Sequence, residues 1–420
     1  MRDRRVEHLL TLFDCAVKAA LPGSTMRNFL PKPPKGKTVV IGAGKAAALM
    51  AQTLEQIWPA ELSGCVVTRY GHSVATHRIT VLEASHPVPD QASIHAAQVM
   101  RGLVQGLTQD DLVIALISGG ASSLMVEPIQ GLSLEQKQLI HRDLLRSGAK
   151  ISEMNVVRKQ LSGIKGGQLA QACYPAPVVN LIISDVPGDD PSLIGSGPTV
   201  VDESTPIHAL EILIRYGLVG HSDAIRLLQE SAQKPSKKVL LPTIDTHIIA
   251  SPQLALEAAA LQAQKLGYHP LILSDSIEGE AREVALVHAA IAQQVIRHNQ
   301  PLSAPCVLLS GGETTVTVKG QGRGGRNAEF LLSLGLALGS QEGVYALAAD
   351  TDGVDGTEDN AGVWWTPETW ERAQSLGLNL RQFLDNNDGY GFFEAVDQLY
   401  KTGPTLTNVN DFRAIIVTKS

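Results

Sequence analysis

Residues 321 to 330, QGRGGRNAEF, place positive charge on a flexible backbone, which is typical of an anion site. Arg323 and Arg326 lie among three glycines, and Asn327 leads into an apolar, leucine-rich segment. Glycine lets the main chain approach a ligand closely, and a helix that begins just afterwards points its free N–H groups at an anion. The segment therefore predicts an anion site, with phosphate as the natural ligand and with Arg323, Arg326 and Asn327 as the candidate contacts.

A lysine directly follows the first apolar run, TVVIGAG (38–44). Gly42 and Gly44 permit a tight turn, and Lys45 then stands at the start of a helical pattern. A cation at a helix N-terminus opposes the helix dipole by a few tenths of a kcal/mol or more unless an anion is bound. The pattern predicts that Lys45, Gly42 and Gly44 contact a phosphate, with an ordinary surface lysine as the alternative.

A Ser-Gly-Gly sequence follows an apolar run twice, in LISGGASS (116–123) and LLSGGETT (308–315). The repetition predicts two related phosphate-binding turns. Alternatively, each Gly-Gly pair merely ends a buried strand. The predicted phosphate or nucleotide contacts are Ser118, Gly119, Gly120, Ser122, Ser123, Gly311 and Gly312.

Carboxylates are concentrated in SDVPGDDPSLIGSGPT (184–199). In phosphoryl transfer one carboxylate can accept the proton of the attacking hydroxyl, and others can hold Mg²⁺ on the phosphates. We predict Asp185 and Asp189 as catalytic residues and Asp189 and Asp190 as metal ligands. A solvated turn, where aspartate is common, is the alternative.

Basic and amide side chains recur at helical spacing in MNVVRKQLSGIKGG (154–167). Asn155, Arg158 and Lys159 lie on neighbouring turns of that helix, so they predict substrate contacts, with a solvated basic face as the alternative. His86 in EASHPVPD (83–90) is a further candidate substrate contact, although a lone histidine is more often structural.

Short apolar runs alternate with long alanine- and leucine-rich segments, which predicts an α/β fold. Most runs lack polar alternation, as in parallel strands covered on both faces, so we expect two domains with mainly parallel, doubly wound, Rossmann-like sheets and an active-site cleft between them. The polar stretch SAQKPSKKV (231–239) predicts domains at 1–237 and 238–420. The predicted strands are 38–44, 64–69, 111–120, 178–186, 269–275, 305–312, 344–350 and 412–419.

Composition narrows the function classes. The net charge of −7, with both signs interspersed, gives no electrostatic footprint for nucleic acid or an anionic membrane. The four cysteines are far apart, with no CxxC pair, so we expect neither a zinc site nor disulfides, and a cytoplasmic location. No apolar run approaches the roughly 18 residues of a membrane span. A homodimer is one assembly that the sequence allows.

Together these motifs resemble the class II glycerate 2-kinases, the family with a MOFRL region in its C-terminal domain, here about 304–415. The resemblance covers essentially the whole chain. Its motifs are GAGKAA, SHPVPD, LISGGASSL, NVVRKQLSGIKGG, ISDVPGDDPSLIGSGPT, LSGGETTV, GRGGRNAEF and ADTDGVDG, in that order. Gln160 and Gln168 depart from it, since histidine and arginine are usual there. Some bacterial members have been labelled hydroxypyruvate reductases of tartrate utilisation.

The resemblance implies an ATP- and Mg²⁺-dependent transfer of a phosphoryl group to the 2-hydroxyl of D-glycerate, giving 2-phosphoglycerate. The family's functional lysine falls on Lys45 and its arginine on Arg326. Its aspartate falls on Asp185 or Asp189. We expect Arg326, from the second domain, to reach the phosphates or the glycerate carboxylate held by the first.

Two other functions stay open at this stage. GAGKAA (42–47) satisfies the looser dinucleotide pattern with Ala47 in third place, and Arg69 could favour a 2′-phosphate. An NAD(P)H-dependent hydroxypyruvate reductase is therefore the main alternative. A sensor that binds a sugar acid or nucleotide without turnover is the third, but it has no need of so many acids and bases at strand ends.

Overall fold

The computed structural model describes residues 3–234 and 240–418. Contacts within the chain define an N-terminal unit, residues 25–249, and a C-terminal unit, which joins residues 1–24 to 250–420. The predicted boundary at 237/238 lies outside the described residues. The N-terminal unit extends beyond it because the strand at Ile244–Ala250 forms an edge of its sheet.

The N-terminal unit is built on a parallel six-stranded sheet, in the order β3-β2-β1-β4-β5-β6. Strands β1, β4 and β5 are buried along their whole length. This is the strand order of doubly wound dinucleotide folds, with the reversal between β1 and β4. The strands are β1 Thr38–Ala43, β2 Ser63–Arg69, β3 Ile79–Ala84, β4 Leu112–Ile117, β5 Val178–Ile183 and β6 Ile244–Ala250. The prediction of a parallel, doubly wound sheet is confirmed here.

Helices cover this sheet and also form a separate bundle. One core lies against the strands, and a second joins α5, α6, α8 and α9 through residues such as Leu144, Val157 and Leu213. Ser133 and Gln136 form a capping box at the start of α5, which fixes where that helix begins. The helices of this unit are α2 Ala47–Ile57, α3 Gln91–Leu103, α4 Ala121–Leu124, α5 Leu134–Arg146, α6 Ile151–Gln160, α7 Gln168–Cys173, α8 Pro206–Arg215 and α9 Ser222–Gln233.

The C-terminal unit contains a mixed sheet, in the order β11-β10-β9-β12-β8-β7. Among the described residues, only β7 and β8 of this sheet pair in parallel; β12, near the end of the chain, runs antiparallel to β8 and β9, and β10 runs antiparallel to β9 and β11. The strands are β7 His269–Glu280, β8 Cys306–Thr315, β9 Val344–Asp350, β10 Gly362–Trp365, β11 Leu399–Tyr400 and β12 Asp411–Val417. The α/β prediction is confirmed, whereas the second sheet differs from the mainly parallel one expected.

The first helix of the chain, α1 (Arg4–Ala20), belongs to the C-terminal unit. Its buried face packs there, with Phe13 edge-on to Phe412 at a ring separation of 5.8 Å. The other helices of this unit are α10 Pro252–Lys265, α11 Ala281–His298, α12 Arg326–Leu338, α13 Pro367–Ser375, α14 Leu380–Asp385 and α15 Gly389–Ala395. Among the described residues, no helix combines the length and apolarity needed to cross a membrane.

Candidate active site

Lys45 and the first Ser-Gly-Gly turn lie side by side where the strand order of the N-terminal unit reverses. The Lys45 amide donates to the Gly119 carbonyl at 2.8 Å, and the Ala46 amide donates to Ser118 Oγ at 3.1 Å. Ligands of open α/β sheets bind beyond the carboxyl ends of the strands at such a reversal. The structure thus brings together two of the predicted anion-binding segments.

Gly120 lies between His86 and Lys45; we call Lys45, His86 and the turn Ser118–Gly120 the strand-end group. Gly120 itself is conformationally special. Its φ of +83° suits glycine, and a Cβ there would lie 3.0 Å from His86 Cδ2 and 3.4 Å from Lys45 Cγ. His86 follows β3, which is separated from β4 by two strands of the sheet, β2 and β1. The predicted residues Lys45, His86 and Gly120 are therefore close neighbours.

Gly42 and Gly44 have a packing explanation that needs no ligand. A Cβ on Gly42 would lie 2.4 Å from the Leu116 carbonyl oxygen. At Gly44, where φ is +136°, it would lie 2.5 Å from the Ser118 carbonyl oxygen. Both glycines allow the β1 and β4 segments to approach closely, which sets the position of Lys45.

The second Ser-Gly-Gly sequence does not form the predicted turn. Gly311 and Gly312 lie inside β8, which continues to Thr315 and pairs with β12. A Cβ on Gly312, at φ +118°, would lie 2.3 Å from the Ile277 amide nitrogen on β7. These glycines therefore serve close strand packing beside an irregular β7–β8 register, rather than a phosphate-binding turn.

A cavity of about 440 Å³ opens beside the strand-end group, between α5 and α6. We call it the basic cavity, since its lining includes five basic side chains and no aspartate or glutamate. The basic residues are Lys137, His141, Arg142, Arg158 and Lys165; Ser122 and Ser123 also line it, and the remaining wall is mostly apolar. Of the predicted residues, the cavity thus gathers Arg158, Ser122 and Ser123.

Three of these basic groups, Arg158, Lys137 and Lys165, are held by neutral partners. Arg158 donates to Asn155 Oδ1 at 3.0 Å, and its guanidinium lies 3.0 Å from His141 Nδ1. Lys137 donates to the Leu161 carbonyl at 2.6 Å, and Lys165 donates to the Ser122 carbonyl. In residues 3–234 and 240–418, no carboxylate pairs with Lys137, His141, Arg158 or Lys165.

Burial and mutual repulsion disfavour the charged forms of these groups. Burial, reinforced by Arg158, lowers the pKa of Lys137 to about 7, and burial lowers the pKa of Arg158 to about 10. Burial and the positive charges of Arg158, Lys165 and Lys137 lower the pKa of His141 to about 4. Burial and its cationic neighbours also hold the pKa of Lys165 well below its ordinary value. A bound anion would reverse these shifts, because opposite charge favours the charged form.

Lys159, a predicted substrate contact, has a structural partner instead. Its ammonium lies 3.2 Å from Asp202 Oδ1, and the two side chains are 7% and 10% exposed. Gln160, one of the departures from the family pattern, donates to Asp202 Oδ2 and to Ser204. These contacts fasten residues 202–204 to α6, and neither Lys159 nor Asn155 lines the basic cavity.

The predicted aspartates follow β5. Asp189 has a positive φ of 54°, and its buried Oδ1 has no hydrogen-bond partner in the described part of the chain. Asp190 is exposed and accepts from the Ser192 amide at 2.8 Å, and Asp185 is half-buried. Within the described ranges, no group of three His, Cys, Asp or Glu could hold a metal ion. The unpartnered oxygen of Asp189 is the feature that suits a cation, since Mg²⁺ often takes only one or two protein carboxylates besides substrate phosphates.

In the C-terminal unit, Arg326 is surrounded by the protein's own carboxylates. It donates to Asp411 Oδ1 at 2.7 Å, Glu313 Oε1 at 2.9 Å and Asp350 Oδ2 at 2.9 Å. Burial alone would lower the pKa of the Arg326 guanidinium, but these three carboxylates raise it well above its ordinary value. Arg323 is more exposed and lies 4.5 Å from the centre of the Tyr390 ring.

Asn327 and Asp355 fix the start of α12 behind Arg326. Asp355 accepts from the amides of Asn327 and Ala328, and burial raises its pKa to about 6. The Asn327 side chain is fully buried and donates to Asp411 Oδ1 at 2.8 Å. Asn327, predicted as a substrate contact, therefore orients the carboxylate that holds Arg326.

Sequence reasoning missed Lys137 and His141. They are four residues apart on α5, so they share one face of that helix with the apolar positions Leu134 and Leu144. Two basic groups on an otherwise apolar helix face were the available signal.

Comparisons with known proteins place this architecture in a family. Residues 8–229 match the model "Domain of unknown function (DUF4147)" and residues 306–411 match the MOFRL family. The chain is 51% identical over 412 residues to a protein of Agrobacterium vitis named "Putative hydroxypyruvate reductase", covering 97% of this chain and 94% of that one. It is 39% identical over 398 residues to the D-glycerate 2-kinase of Thermotoga maritima, covering 94% of each.

A crystal structure of glycerate kinase from Thermotoga maritima has the same fold, with a TM-score of 0.89 at 36% identity over 98% of this chain and 99% of that one. A glycerate 2-kinase of Pyrococcus horikoshii is 40% identical over 390 residues, 91% of this chain and 88% of the relative. With matches that span nearly its whole length, the chain belongs to the DUF4147–MOFRL family, which includes glycerate 2-kinases.

Proposed function

We propose that this protein is a glycerate 2-kinase that transfers the γ-phosphoryl group of ATP to the 2-hydroxyl of D-glycerate, giving 2-phosphoglycerate and ADP. The observation that carries the proposal is the position of Lys45 beside Ser118–Gly120 at the strand-order reversal, next to a cavity with basic and no acidic residues. Relatives named glycerate 2-kinase support glycerate as the acceptor.

Phosphoryl transfer mainly requires positioning and positive charge on the phosphoryl oxygens. In our proposal Lys45 carries that charge to the transferred group. The Ser118–Gly120 turn and Ser122 and Ser123 line the phosphates. His86, adjacent to Gly120 and Lys45, contacts the acceptor.

Asp185 is the proposed base, which accepts the proton of the 2-hydroxyl. The donor set after β5 fits Mg²⁺, since Asp189 offers a buried, unpartnered oxygen and Asp190 a second, exposed carboxylate. When bound there with the phosphates, Mg²⁺ would neutralise part of their negative charge. Asp189 and Asp190 are the residues that would hold it.

Arg326 is proposed to meet the phosphates or the glycerate carboxylate, so that Lys45 and Arg326 act on one anion. Its three recorded hydrogen bonds leave two of the five guanidinium N–H groups for a ligand. The surrounding carboxylates would orient the guanidinium and keep it charged. This convergence of two residues from different units remains a prediction, as do the homodimer and the cytoplasmic location.

A hydroxypyruvate reductase is the second candidate, favoured by the name of the Agrobacterium vitis relatives. Dinucleotide folds bind the pyrophosphate with amides at the glycine turn and the following helix N-terminus. Here the amides of Lys45 and Ala46 already donate to Gly119 and Ser118. Because these two amides are already hydrogen-bonded within the protein, they do not offer a pyrophosphate site, which favours the kinase.

Two assays on the same preparation distinguish these functions. We expect ADP release that requires both D-glycerate and Mg²⁺, and no NADPH oxidation with hydroxypyruvate. NADPH oxidation without glycerate-dependent ADP release would overturn the proposal in favour of the reductase.

A further inference from the structure

The basic cavity is larger and more apolar than D-glycerate requires. Its volume of about 440 Å³ falls in the roughly 300–1,000 Å³ range of small-molecule sites. At about 30 Å³ per water molecule, the same space corresponds to roughly fifteen waters. A three-carbon hydroxy acid would fill only part of it and would leave the apolar wall uncovered.

Helix α5 supplies much of the apolar wall of the cavity and three of its basic residues, Lys137, His141 and Arg142, whereas Arg158 and Lys165 come from other segments. The helix α5 supplies Leu134, Ile140, Leu144 and Leu145, whose side chains form an apolar surface. Lys165 and Ser122 belong to the segments next to the strand-end group, and their mutual hydrogen bond ties the cavity to the Ser118–Gly120 turn. The cavity therefore offers an apolar wall on α5 and a cationic end that adjoins the turn beside Lys45.

The cationic end calls for an anion. Lys165 is 2% exposed and can donate three hydrogen bonds, yet the described residues provide one acceptor, the Ser122 carbonyl. Arg158 and Lys137 are likewise held by neutral groups. A buried cation without a counter-charge is costly to the fold, so this arrangement fits a ligand that brings its own negative charge.

We propose that the basic cavity binds a nucleoside di- or triphosphate, with the base against the apolar wall of α5 and the phosphates against Lys165 and Arg158. The identity of this nucleotide as the phosphate donor rests on the proposed function. In this orientation the terminal phosphate points from the cavity toward Lys45. The inference extends nucleotide binding to Lys137, His141 and Lys165, which were not among the predicted site residues.

Two variants with a matched control test the inference in the full-length protein, with ADP binding measured by isothermal titration calorimetry. Leu145→Glu places a negative charge in the cavity lining, at a residue that is 55% exposed and so tolerates polarity. Leu139→Glu makes the same change at a 42% exposed leucine of α5 that does not line the cavity. Lys165→Met removes the buried charge and keeps the unbranched stem.

We expect the dissociation constant of ADP to rise at least about tenfold in Leu145→Glu and Lys165→Met, and to stay within about twofold of wild type in Leu139→Glu. Wild type should bind ADP more tightly than AMP, and both more tightly than inorganic phosphate, since both base and phosphates make contacts. Melting temperatures report whether each variant is folded. If Lys165→Met does not fold, the comparison of Leu145→Glu with Leu139→Glu, both at exposed leucines, still tests the inference.

Unchanged ADP affinity in Leu145→Glu would overturn the inference, as would a loss of D-glycerate binding with ADP binding intact. Equal affinity for ADP and phosphate would also contradict it, because the base would then make no contact. Cavity-dependent ADP binding by a protein that does not phosphorylate D-glycerate would support the nucleotide site and refute only the proposed function.

Discussion

Replacing Arg326 with lysine separates the structural role of this residue from its proposed role in the reaction. Lysine can keep one of the three carboxylate contacts and loses the other two. At about 1.5–3 kcal/mol for a hydrogen bond to a charged group, two lost bonds correspond to about 3–6 kcal/mol. Glu313 is 52% exposed, so its bond contributes little, and Asp411 keeps Arg413 as a partner. We therefore expect a loss of about 2–3 kcal/mol.

Thermal unfolding and steady-state kinetics measure the two effects. For a unit of this size, 1 kcal/mol corresponds to about 2–4 °C in melting temperature, so the transition of the C-terminal unit should fall by about 4–12 °C. At a temperature where the variant is folded, kcat/KM for D-glycerate should fall at least about tenfold, because an ammonium cannot reproduce the planar fork of a guanidinium.

Arg323→Lys is the matched control in the same loop. Arg323 is 56% exposed, and its nearest carboxylates lie at 3.3 Å. Exposed ion pairs contribute only about 0–1 kcal/mol, so its melting temperature should change by no more than about 4 °C. An unchanged melting temperature for Arg326→Lys would refute the reasoning about the carboxylate network. Normal kinetics would remove Arg326 from the reacting groups.

Three further predictions concern the N-terminal unit. Lys45→Met should lower kcat/KM for D-glycerate by about 10³-fold, because one charge that stabilises the transferred phosphoryl group is removed; a tenfold or smaller effect in the same rate assay would contradict this. Gly44→Ala should lower the melting temperature by several degrees, since the φ of Gly44 is +136° and an added Cβ would meet Ser118. Gly102 lies on α3 with open space around it, so Gly102→Ala is the matched control and should leave the melting temperature equal or higher. The pKa of Lys137 is about 7 before binding and should rise beside an anion, as should those of Arg158, Lys165 and His141, so ADP binding in the basic cavity should be accompanied by proton uptake near pH 7. The affinity for ADP should therefore weaken as the pH rises above 7. Calorimetry in buffers of different ionisation enthalpy measures the proton uptake, and finding none would contradict the prediction.

Burial on both faces made several strands recognisable from the sequence. β1, β4 and β5 are buried on both faces and read as continuous apolar runs. β3 and β6 were not predicted, because polar residues such as Glu83 in β3 and Asp245 and His247 in β6 interrupt their apolar sequences. The direction of β12 was not predictable either, since a strand buried between two neighbours has the same composition whether it runs parallel or antiparallel.

Among the predicted site residues, some have positions that follow from the strand pattern of the sequence, and others have contacts that depend on distant parts of the chain. Lys45 and the Ser118–Gly120 turn were identified because the ends of adjacent strands must meet at one edge of a sheet. Gly311 and Gly312 share a motif with that turn, but strand pairing rather than local sequence decides their conformation. The ion pair of Lys159 with Asp202 could not be read from residues 43 positions apart.

Phosphorus NMR of a reaction containing the protein, D-glycerate, ATP and Mg²⁺ tests the central claim most directly, since it identifies the oxygen that receives the phosphoryl group. We expect a phosphate resonance of 2-phosphoglycerate to grow in step with that of ADP. Phosphate on the 3-hydroxyl, or ADP formed with free phosphate alone, would contradict the account.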